Sequence, residues 1–261
     1  IAIALNQLGG TDSLFGKYKL AQVYYEECLT LFRELGDKDG LAACLHNFGN
    51  ITGGLGNYEQ AKIYMEESLA IRIDLGDKRG TSSCLMSLGQ IAYKHSESNY
   101  EQTKKFYEES ISLSREIGLK RELAISLFNL GDCVENCDNN FEHAMEYFEE
   151  ALALFREMGN KIGIASSFYG IGNVLFRRSG MEDEAKTSYE IALTLFRESG
   201  DKNGIANSLR GIGNVAFFLS EFTEAKKHFE ESLELRRETG DNENIAEALR
   251  SIGNVLSESG N

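Results

Sequence analysis

Cysteine and histidine are the residues through which this chain could most readily bind a metal ion, and both are scarce. The 261 residues include five cysteines and four histidines. Cys133 and Cys137 are four residues apart, so on a helix they would face each other across one turn. No second cysteine pair and no histidine pair stands at the spacing of a zinc site. The sequence therefore predicts no metal site.

Other catalytic arrangements are missing as well. None of the four histidines belongs to an HExxH pattern, and no glycine-rich loop precedes a Lys-Ser or Lys-Thr pair at phosphate-binding spacing. Most cysteines stand at positions where other parts of the chain carry a small or apolar residue, which indicates packing. We therefore expect no cofactor and no catalytic residues, and a protein that is not an enzyme.

The charge of the chain restricts its partners. The net charge at pH 7 is −14, from 41 acidic and 27 basic residues. Nucleic acids are bound by clustered Lys and Arg, which this balance disfavours, and an anionic membrane surface would repel the chain. No apolar run approaches the roughly 20 residues of a transmembrane helix, and no signal segment stands at the start. We expect a cytoplasmic protein that binds neither nucleic acid nor membrane.

Three kinds of residue recur with a period of 40 to 42 residues. The first, which we call the helix glycine, lies within a helical pattern of apolar residues at Gly9, Gly49, Gly89, Gly131, Gly172, Gly213 and Gly253. The second, the turn glycine, always precedes the next helix glycine by 13 residues, at Gly36, Gly76, Gly118, Gly159, Gly200 and Gly240. The third, the small anchor, stands 15 residues before each turn glycine, at Ala21, Ala61, Thr103, Ala144, Ala185 and Ala225. Only the gap from helix glycine to small anchor varies, from 12 to 14 residues, which predicts a turn there.

Each repeat contains two helical patterns. Apolar residues of the first pattern follow at intervals of 4, 3 and 3 residues, as at Leu41, Leu45, Phe48 and Ile51. The turn glycine would end the second helix in the left-handed conformation, and a residue such as Asp77 would cap the next. The chain has no proline. These patterns predict 13 helices in repeats 1–36, 37–76, 77–118, 119–159, 160–200 and 201–240, with 241–261 as the first helix of a seventh repeat in a longer array.

A glycine within a helix costs about 0.5–1 kcal/mol relative to alanine, so a close contact must compensate. Seven residues after the small anchor stands a second small residue, at Cys28, Ser68, Ser110, Ala151, Ala192 and Ser232. Four residues after the anchor stands a bulky one, at Tyr25, Met65, Tyr107, Phe148, Tyr189 and Phe229. We expect the helix glycine to contact the second small residue, while the bulky residue fills the space beside this contact.

The pattern formed by Leu45, Phe48, Gly49, Ala61, Met65 and Ser68, and repeated along the chain, resembles the tetratricopeptide repeat. The usual aromatic residue three after the glycine and the closing proline are absent. The long period is similar to that of Pins/LGN spindle-orientation scaffolds, kinesin light chains and the sensor arrays of bacterial signalling ATPases. The resemblance implies an all-α fold, a right-handed superhelical solenoid of antiparallel helix pairs whose first helices line a concave groove.

Paired acids recur five and six residues after the small anchor, as at Glu26-Glu27 and Glu66-Glu67. An arginine follows seven residues after the first acid of most pairs, as Arg33 does. We interpret this stripe as a solvated outer face with ion pairs inside each helix, each worth a few tenths of a kcal/mol.

The first helix of each repeat carries a second, polar face. It lies 60–140° around the helix from the glycine, away from the apolar arc. The resemblance implies that this face meets a ligand, and we predict as groove residues Asn50, Gln90, Tyr169, Asn173, Phe176, Arg177, Arg210, Asn214, Phe217, Arg250 and Asn254. Amides can both donate to and accept from an extended backbone, arginine pairs with carboxylates, and aromatic rings offer contact area.

These observations predict a binding scaffold or sensor for a protein or peptide segment. The expected segment carries Asp or Glu over Arg210 and Arg250 and a hydrophobic residue against Phe176 or Phe217. Two alternatives stay open. The chain could be the ligand-sensing regulatory array of a larger signalling protein whose catalytic domain lies outside it, or a structural spacer with an empty groove. The oligomeric state does not follow from the sequence.

Overall fold

The computed structural model describes residues 1–95 and 99–260. For Leu14 and Glu243 within these ranges it describes the backbone only. In this part of the chain 13 α-helices and no strands are found. The helices are α1 (Ala2–Leu14), α2 (Tyr18–Leu35), α3 (Lys38–Gly54), α4 (Tyr58–Asp74), α5 (Lys78–His95), α6 (Tyr100–Ile117), α7 (Lys120–Cys133), α8 (Phe141–Glu157), α9 (Lys161–Arg177), α10 (Glu182–Ser199), α11 (Lys202–Phe218), α12 (Phe222–Thr239) and α13 (Asn242–Glu258). The predicted all-α fold of paired helices is confirmed.

The helices divide into two compact units. The first unit, Ile1–Cys133, contains α1 to α7, and the second, Val134–Asn261, contains α8 to α13. In each unit every helix packs against the next one along the chain. None of the helices in the described residues combines the length and the apolar character that a membrane crossing requires.

Caps at the turns explain where the helices begin and end. Gly36 ends α2 with a φ of 65° and a ψ of 20°, a left-handed conformation that costs glycine little. Asp37 follows, and its carboxylate accepts a hydrogen bond of 3.0 Å from the backbone N–H of Gly40 in the first turn of α3. The same two devices recur at Gly200 and Asp201 before α11.

At Gly9, Gly49, Gly89, Gly172 and Gly213 the helix glycine lies against the bulky residue of the second helix, so the predicted contact with the second small residue is wrong there. A methyl group added to Gly89 would lie 2.6 Å from the ring of Tyr107, and one added to Gly172 would lie 2.7 Å from Tyr189. Ring and glycine together fill the space between the two helices of a repeat. A flat ring packed directly on the backbone needs the position free of a side chain.

The second small residue, where it is a serine, forms a hydrogen bond to the preceding helix, a role that its small size did not predict. Ser68 donates a hydrogen bond of 2.8 Å to the carbonyl oxygen of Ala42 on the preceding helix, and Ser232 makes the equivalent bond to Ala206. Both hydroxyls are buried. These bonds join the two helices of a repeat through the backbone of the first helix.

Some ion pairs on the outer face join successive repeats, while others lie within one helix, as between Lys62 and Glu66. Arg33 donates to Glu67, 34 residues further on, with an N–O distance of 2.9 Å, and Arg197 bonds Glu231 at 2.7 Å. Lys202, in contrast, joins the two helices of its own repeat by donating to Glu238 at 3.0 Å. The expectation that these arginines pair inside their own helix was wrong, because stacked second helices bring the acids of the next repeat closer.

Part of the length variation is absorbed inside helical structure. Directly after α7 the residues Val134–Asp138 form a π-helical turn, which accommodates the extra residue of the fourth repeat inside helical structure. This corrects the prediction that every insertion lies in a turn. In the third repeat the predicted turn includes residues 96–98, which lie outside the described residues.

A further glycine, four residues after the turn glycine, locks the junction between repeats. A side chain at Gly40 would clash with the ring of Phe32, and Gly204 faces Phe196 in the same way. At the junction before α13 the pair is replaced by Arg236 and Asn244. Arg236 is buried there and bonds Asp241 at 2.8 Å. The junctions at Gly40 and Gly204 therefore each carry a matched pair of residues, one from each repeat.

Candidate ligand-binding site

A polar pocket of about 300 Å³ lies on the first helices of the second unit. It is lined by Glu135, Asn136, Tyr169, Asn173, Phe176, Arg177, Tyr189, Arg210, Gly211 and Asn214. Six of the eleven predicted groove residues are thus brought together in one place by α9 and α11. The π-helical turn supplies two lining residues that the prediction did not include.

Arg177 is held by the π-helical turn. Its Nε lies 3.0 Å from a carboxylate oxygen of Glu135, and Nη1 and Nη2 donate to the backbone oxygen of Glu135 and to the side chains of Asn139 and Asn136 at 3.3 Å. Only 1% of the Glu135 side chain is exposed. A buried carboxylate needs such a cation, and in turn it neutralises the charge that Arg177 brings to the pocket.

Arg210 is also paired within the chain. One terminal nitrogen donates to Glu247 of α13 at 2.9 Å and the other to the Tyr169 hydroxyl at 2.8 Å. Burial disfavours the charged form, but the oxygen of Tyr169 and the carboxylate of Glu247 outweigh it, so the pKa of Arg210 is raised. Arg210 therefore is not the unpaired cation that the sequence suggested.

The side-chain amides of Asn173 and Asn214 differ in which hydrogen-bonding groups remain available to a ligand. The Tyr189 hydroxyl donates to Oδ1 of Asn173 at 2.9 Å, and burial raises the pKa of Tyr189 so that it stays a donor. With Oδ1 accepting from Tyr189, the NH₂ group is the donor that Asn173 has left for a ligand. The side chain of Asn214 makes no hydrogen bond to any residue that the structure describes, so its oxygen and its NH₂ group are both available.

An aromatic pocket of about 470 Å³ adjoins the polar one and shares Phe176 and Asn214 with it. Its other lining residues are Phe217, Phe218, Ser220, Phe222 and Glu258. Phe176 and Phe218 meet edge to face with ring centroids 6.1 Å apart, and Phe217 and Phe222 do so at 5.8 Å. Four phenylalanine rings with Phe218 mostly exposed form a surface that water solvates poorly.

The remaining predicted groove residues do not line these pockets. Arg250 and Asn254 are exposed on α13, and Arg250 forms no ion pair with any residue that the structure describes. Asn50 on α3 is exposed and Gln90 on α5 is half-buried, both in the first unit. The structure places these four on first helices, as expected, but does not gather them into a cavity.

Glu135, Tyr189 and Glu247 are the site residues that sequence reasoning missed. Glu135 stands four residues after the helix glycine, the position that Phe176 and Phe217 occupy in the next two repeats. That equivalence could have identified it. Tyr189 was assigned to the core alone, although its hydroxyl reaches the pocket. The partnership of Glu247 with Arg210 depends on how two repeats stack, which a single helical pattern does not reveal.

His46 and Cys84 pack against each other in the first unit instead of forming a reactive site. In the first unit His46 Nδ1 lies 3.4 Å from the sulfur of Cys84, and burial, reinforced by the Arg72 charge, lowers the pKa of His46 to about 4. Burial raises the pKa of the Cys84 thiol. The five cysteines are thiols and not members of disulfides. Within the described ranges, no group of three or more His, Cys, Asp or Glu residues could hold a metal ion.

Known structures share this architecture. BtubC (BKLC) from P. vanneervenii is 19% identical, with a TM-score of 0.70 over 84% of this chain and 90% of its own. The tetratricopeptide sensor protein PH0952 of the STAND class from Pyrococcus horikoshii is 15% identical, with a TM-score of 0.73 over 99% of this chain and 43% of its own. The Rap conjugation gene regulator of plasmid pLS20, in complex with the Phr* peptide, is 16% identical, with a TM-score of 0.65 over 96% and 73%. At these identities the likeness shows the fold alone.

Sequence comparison assigns the family. No curated protein matches the chain. The tetratricopeptide repeat model, in contrast, matches residues 1–74, 82–157, 163–238 and 204–261. The matches cover most of the chain, and they agree with the helix pairs and the helix glycines of the structure. The chain belongs to the tetratricopeptide repeat family.

Proposed function

We propose that this protein binds an extended protein or peptide segment on the first helices of its second unit, at α9 and α11. The observation that carries the proposal is that a polar pocket and an aromatic pocket meet at Phe176 and Asn214. An extended segment places successive side chains on opposite sides. An apolar side chain can therefore enter the aromatic pocket while the neighbouring peptide groups lie over the polar one.

The amides supply the recognition of the backbone. Asn173 is fixed by Tyr189 and presents its NH₂ group, which suits a peptide carbonyl. Asn214 has both an acceptor and a donor available, which suits either peptide group. Because the hydrogen bond from Tyr189 already fixes Asn173, little freedom of that side chain is lost on binding. The ring cluster of Phe176, Phe217, Phe218 and Phe222 adds apolar area, which supplies most of the affinity in such sites.

The charge of the partner is a finer point. The sequence suggested carboxylates over Arg210 and Arg250, but Arg210 and Arg177 already pair with Glu247 and Glu135. A ligand carboxylate over Arg210 would have to displace Glu247 or share the guanidinium with it. Arg250 is exposed and stands apart from these pairs. We therefore propose an apolar anchor as the main determinant, with an acidic residue of the partner contributing only near Arg250.

The relatives support a binding role without identifying the ligand. The Rap conjugation gene regulator was solved with a peptide bound, and PH0952 is described as carrying a tetratricopeptide repeat sensor. We propose a binding module and not an enzyme, located in the cytoplasm, where free thiols such as those of the five cysteines persist. The second candidate function, a ligand-sensing array within a larger signalling protein, uses the same site and is favoured by the likeness to PH0952.

The proposal is tested by selecting peptides from a random library displayed on phage. Wild-type protein is the bait, and an Asn214→Ala, Phe217→Ala variant serves for counter-selection. We expect enriched sequences to share one aromatic or large aliphatic residue. By fluorescence anisotropy, the double variant should bind a selected peptide at least about tenfold more weakly, since each truncated contact of this kind is worth about 1 kcal/mol or more.

The matched control is Asn50→Ala, an exposed amide at the position equivalent to Asn214 but in the first unit. This variant should bind the selected peptide as wild type does. Circular dichroism would establish that all variants keep their helix content. A library that yields no enriched sequence, or peptides that bind the Asn214→Ala, Phe217→Ala variant equally well, would leave the spacer function as the better account.

A further inference from the structure

A second exposed apolar surface lies in the first unit, where α2 begins. Tyr18, Leu20 and Leu55 line a cavity of about 660 Å³, together with Gly16, Lys17, Lys19 and Gln22. Leu20 is 41% and Leu55 46% exposed. Val23, one turn after Leu20 on α2, is 54% exposed. We call Tyr18, Leu20, Val23 and Leu55 the α2 patch.

The fold does not require apolar residues at the positions of Leu20 and Val23. At the position of Leu20 the other repeats carry Gln60, Gln102, His143, Glu184 and Glu224, and at the position of Val23 they carry Ile63, Lys105, Glu146, Thr187 and Lys227. All of these except the half-buried Gln60 are exposed, although repeats lie on both sides of them. The positions therefore face solvent throughout the array. Apolar side chains at both positions in one repeat are a local departure, and such departures are typical of binding sites.

The charge of the surface is reversed in the same place. Where α2 carries Lys19, other repeats carry Glu59, Glu101, Glu142, Asp183 and Thr223. α2 has no acidic residue in its first turn, and Lys17 at its N-cap position provides no side-chain cap. Cations at the start of a helix oppose its dipole, so these lysines do not serve the stability of α2. Lys17 lies 3.3 Å from Asp12, whereas Lys19 forms no ion pair with a residue that the structure describes.

From this combination we infer that the α2 patch docks an acidic amphipathic helix of a partner protein. Its apolar side chains would cover Leu20, Val23 and Leu55, and Asp or Glu residues beside them would meet Lys17 and Lys19. The complementarity of charge decides the chemistry of the partner, because these lysines flank an apolar cavity in a chain whose net charge is −14. The site is separate from the peptide site of the second unit and does not depend on it.

The test uses two synthetic helical peptides of about five turns each. The first carries leucine along one face and glutamate on both flanks of that face, and the second carries lysine in place of every glutamate. We expect the glutamate peptide to bind the wild-type protein, measured by fluorescence anisotropy, and the lysine peptide to bind at least about tenfold more weakly. Binding of the two peptides with equal affinity, or no binding of the glutamate peptide, would overturn the proposal.

A triple variant locates the interaction. Lys19→Glu, Leu20→Gln and Val23→Thr each introduce the residue that another repeat carries at that position, so the fold is retained. We expect this variant to bind the glutamate peptide at least about tenfold more weakly than wild type does. The control is Ile162→Arg, which removes an exposed isoleucine of the second unit and introduces the residue found at Arg79 and Arg121. Equal losses in the triple variant and the control would show nonspecific apolar binding and refute the assignment.

One more measurement separates a protein partner from a lipid surface. Vesicles of phosphatidylserine and phosphatidylcholine are added to the wild-type protein, and co-sedimentation is measured. We expect none, since the chain as a whole carries a strong negative charge. If the wild-type protein sediments with the vesicles and the triple variant does not, the α2 patch binds membranes. That result would contradict a docked acidic helix.

Discussion

Replacing Gly89 by alanine places a single methyl group where the structure leaves no room. The added carbon would lie 2.6 Å from the ring of Tyr107, and that ring is buried between α5 and α6. A phenol ring held on all sides cannot move aside as the end of a flexible chain can. Either the ring or one of the two helices has to shift.

The expected size of the effect follows from two opposing contributions. Alanine stabilises a helix interior by about 0.8–1.0 kcal/mol relative to glycine. Overpacking in a well-packed core typically costs about 1–3 kcal/mol. At Gly89 the second contribution applies in full, and we expect a net destabilisation of up to about 2 kcal/mol. Gly253 has no atom within 4 Å of the added carbon, so Gly253→Ala should instead stabilise the chain by about 1 kcal/mol.

Hydrogen exchange and thermal melts followed by circular dichroism would measure both variants. Local exchange is needed because repeat arrays open in parts, so that one melting temperature does not describe them. The double variant Gly89→Ala, Tyr107→Leu completes a cycle, because the smaller side chain removes the clash. We expect a coupling of at least about 1 kcal/mol between the two sites. If Gly89→Ala stabilises α5 as much as Gly253→Ala stabilises α13, the ring does not set the requirement for glycine and our account is wrong.

Three further predictions concern single contacts. Ser68→Ala should cost about 1 kcal/mol in urea melts, because it removes a buried hydrogen bond between helices; an unchanged midpoint would contradict this. Asp241→Asn should destabilise the chain by about 3 kcal/mol at neutral pH, because it leaves the buried Arg236 without its carboxylate. Burial disfavours the Asp241 charge, but bonds from Asn244 and Arg236 hold its pKa below 3.8, so the wild-type advantage in melts is full above that pH and shrinks as the pH falls through the lowered pKa. Lys202→Gln removes an exposed pair and should cost no more than about 0.5 kcal/mol, with the difference vanishing in 1 M salt, where screening is nearly complete; a loss that persists in salt would show a role beyond charge.

The sequence was sufficient for the fold because its signals are local and repeated. The intervals from Ala61 to Gly76 and from Gly76 to Gly89 recur unchanged along the chain, so each helix was predicted several times over. The partner of each glycine was not predictable in this way. Candidates three residues apart on the second helix, such as Tyr107 and Ser110, differ by only a small rotation of the helix. The rotation is fixed by packing in three dimensions, and the pattern does not specify it.

The site was predicted as a face of the first helices but not as a set of charges. Asn173, Asn214 and Phe176 follow from their angle around the helix, and the structure gathers them at two pockets. The pairing of Arg210 with Glu247 joins residues 37 positions apart, and it depends on the stacking of α11 on α13. Treating each helical face separately therefore overestimated the positive charge available to a ligand.

The matched residues at the repeat junctions constrain how such an array can grow by duplication. Phe32 belongs to one repeat and its complementary Gly40 to the next, so a copy cut at the repeat boundary separates the two. Placing the repeat that contains Phe196 directly before the one that contains Asn244 would force an asparagine side chain against a phenylalanine ring. A recombination point inside the second helix, before the ring, keeps both members of the pair on the same segment. In this chain the segment that can be duplicated without loss of stability is therefore offset along the sequence from the structural repeat.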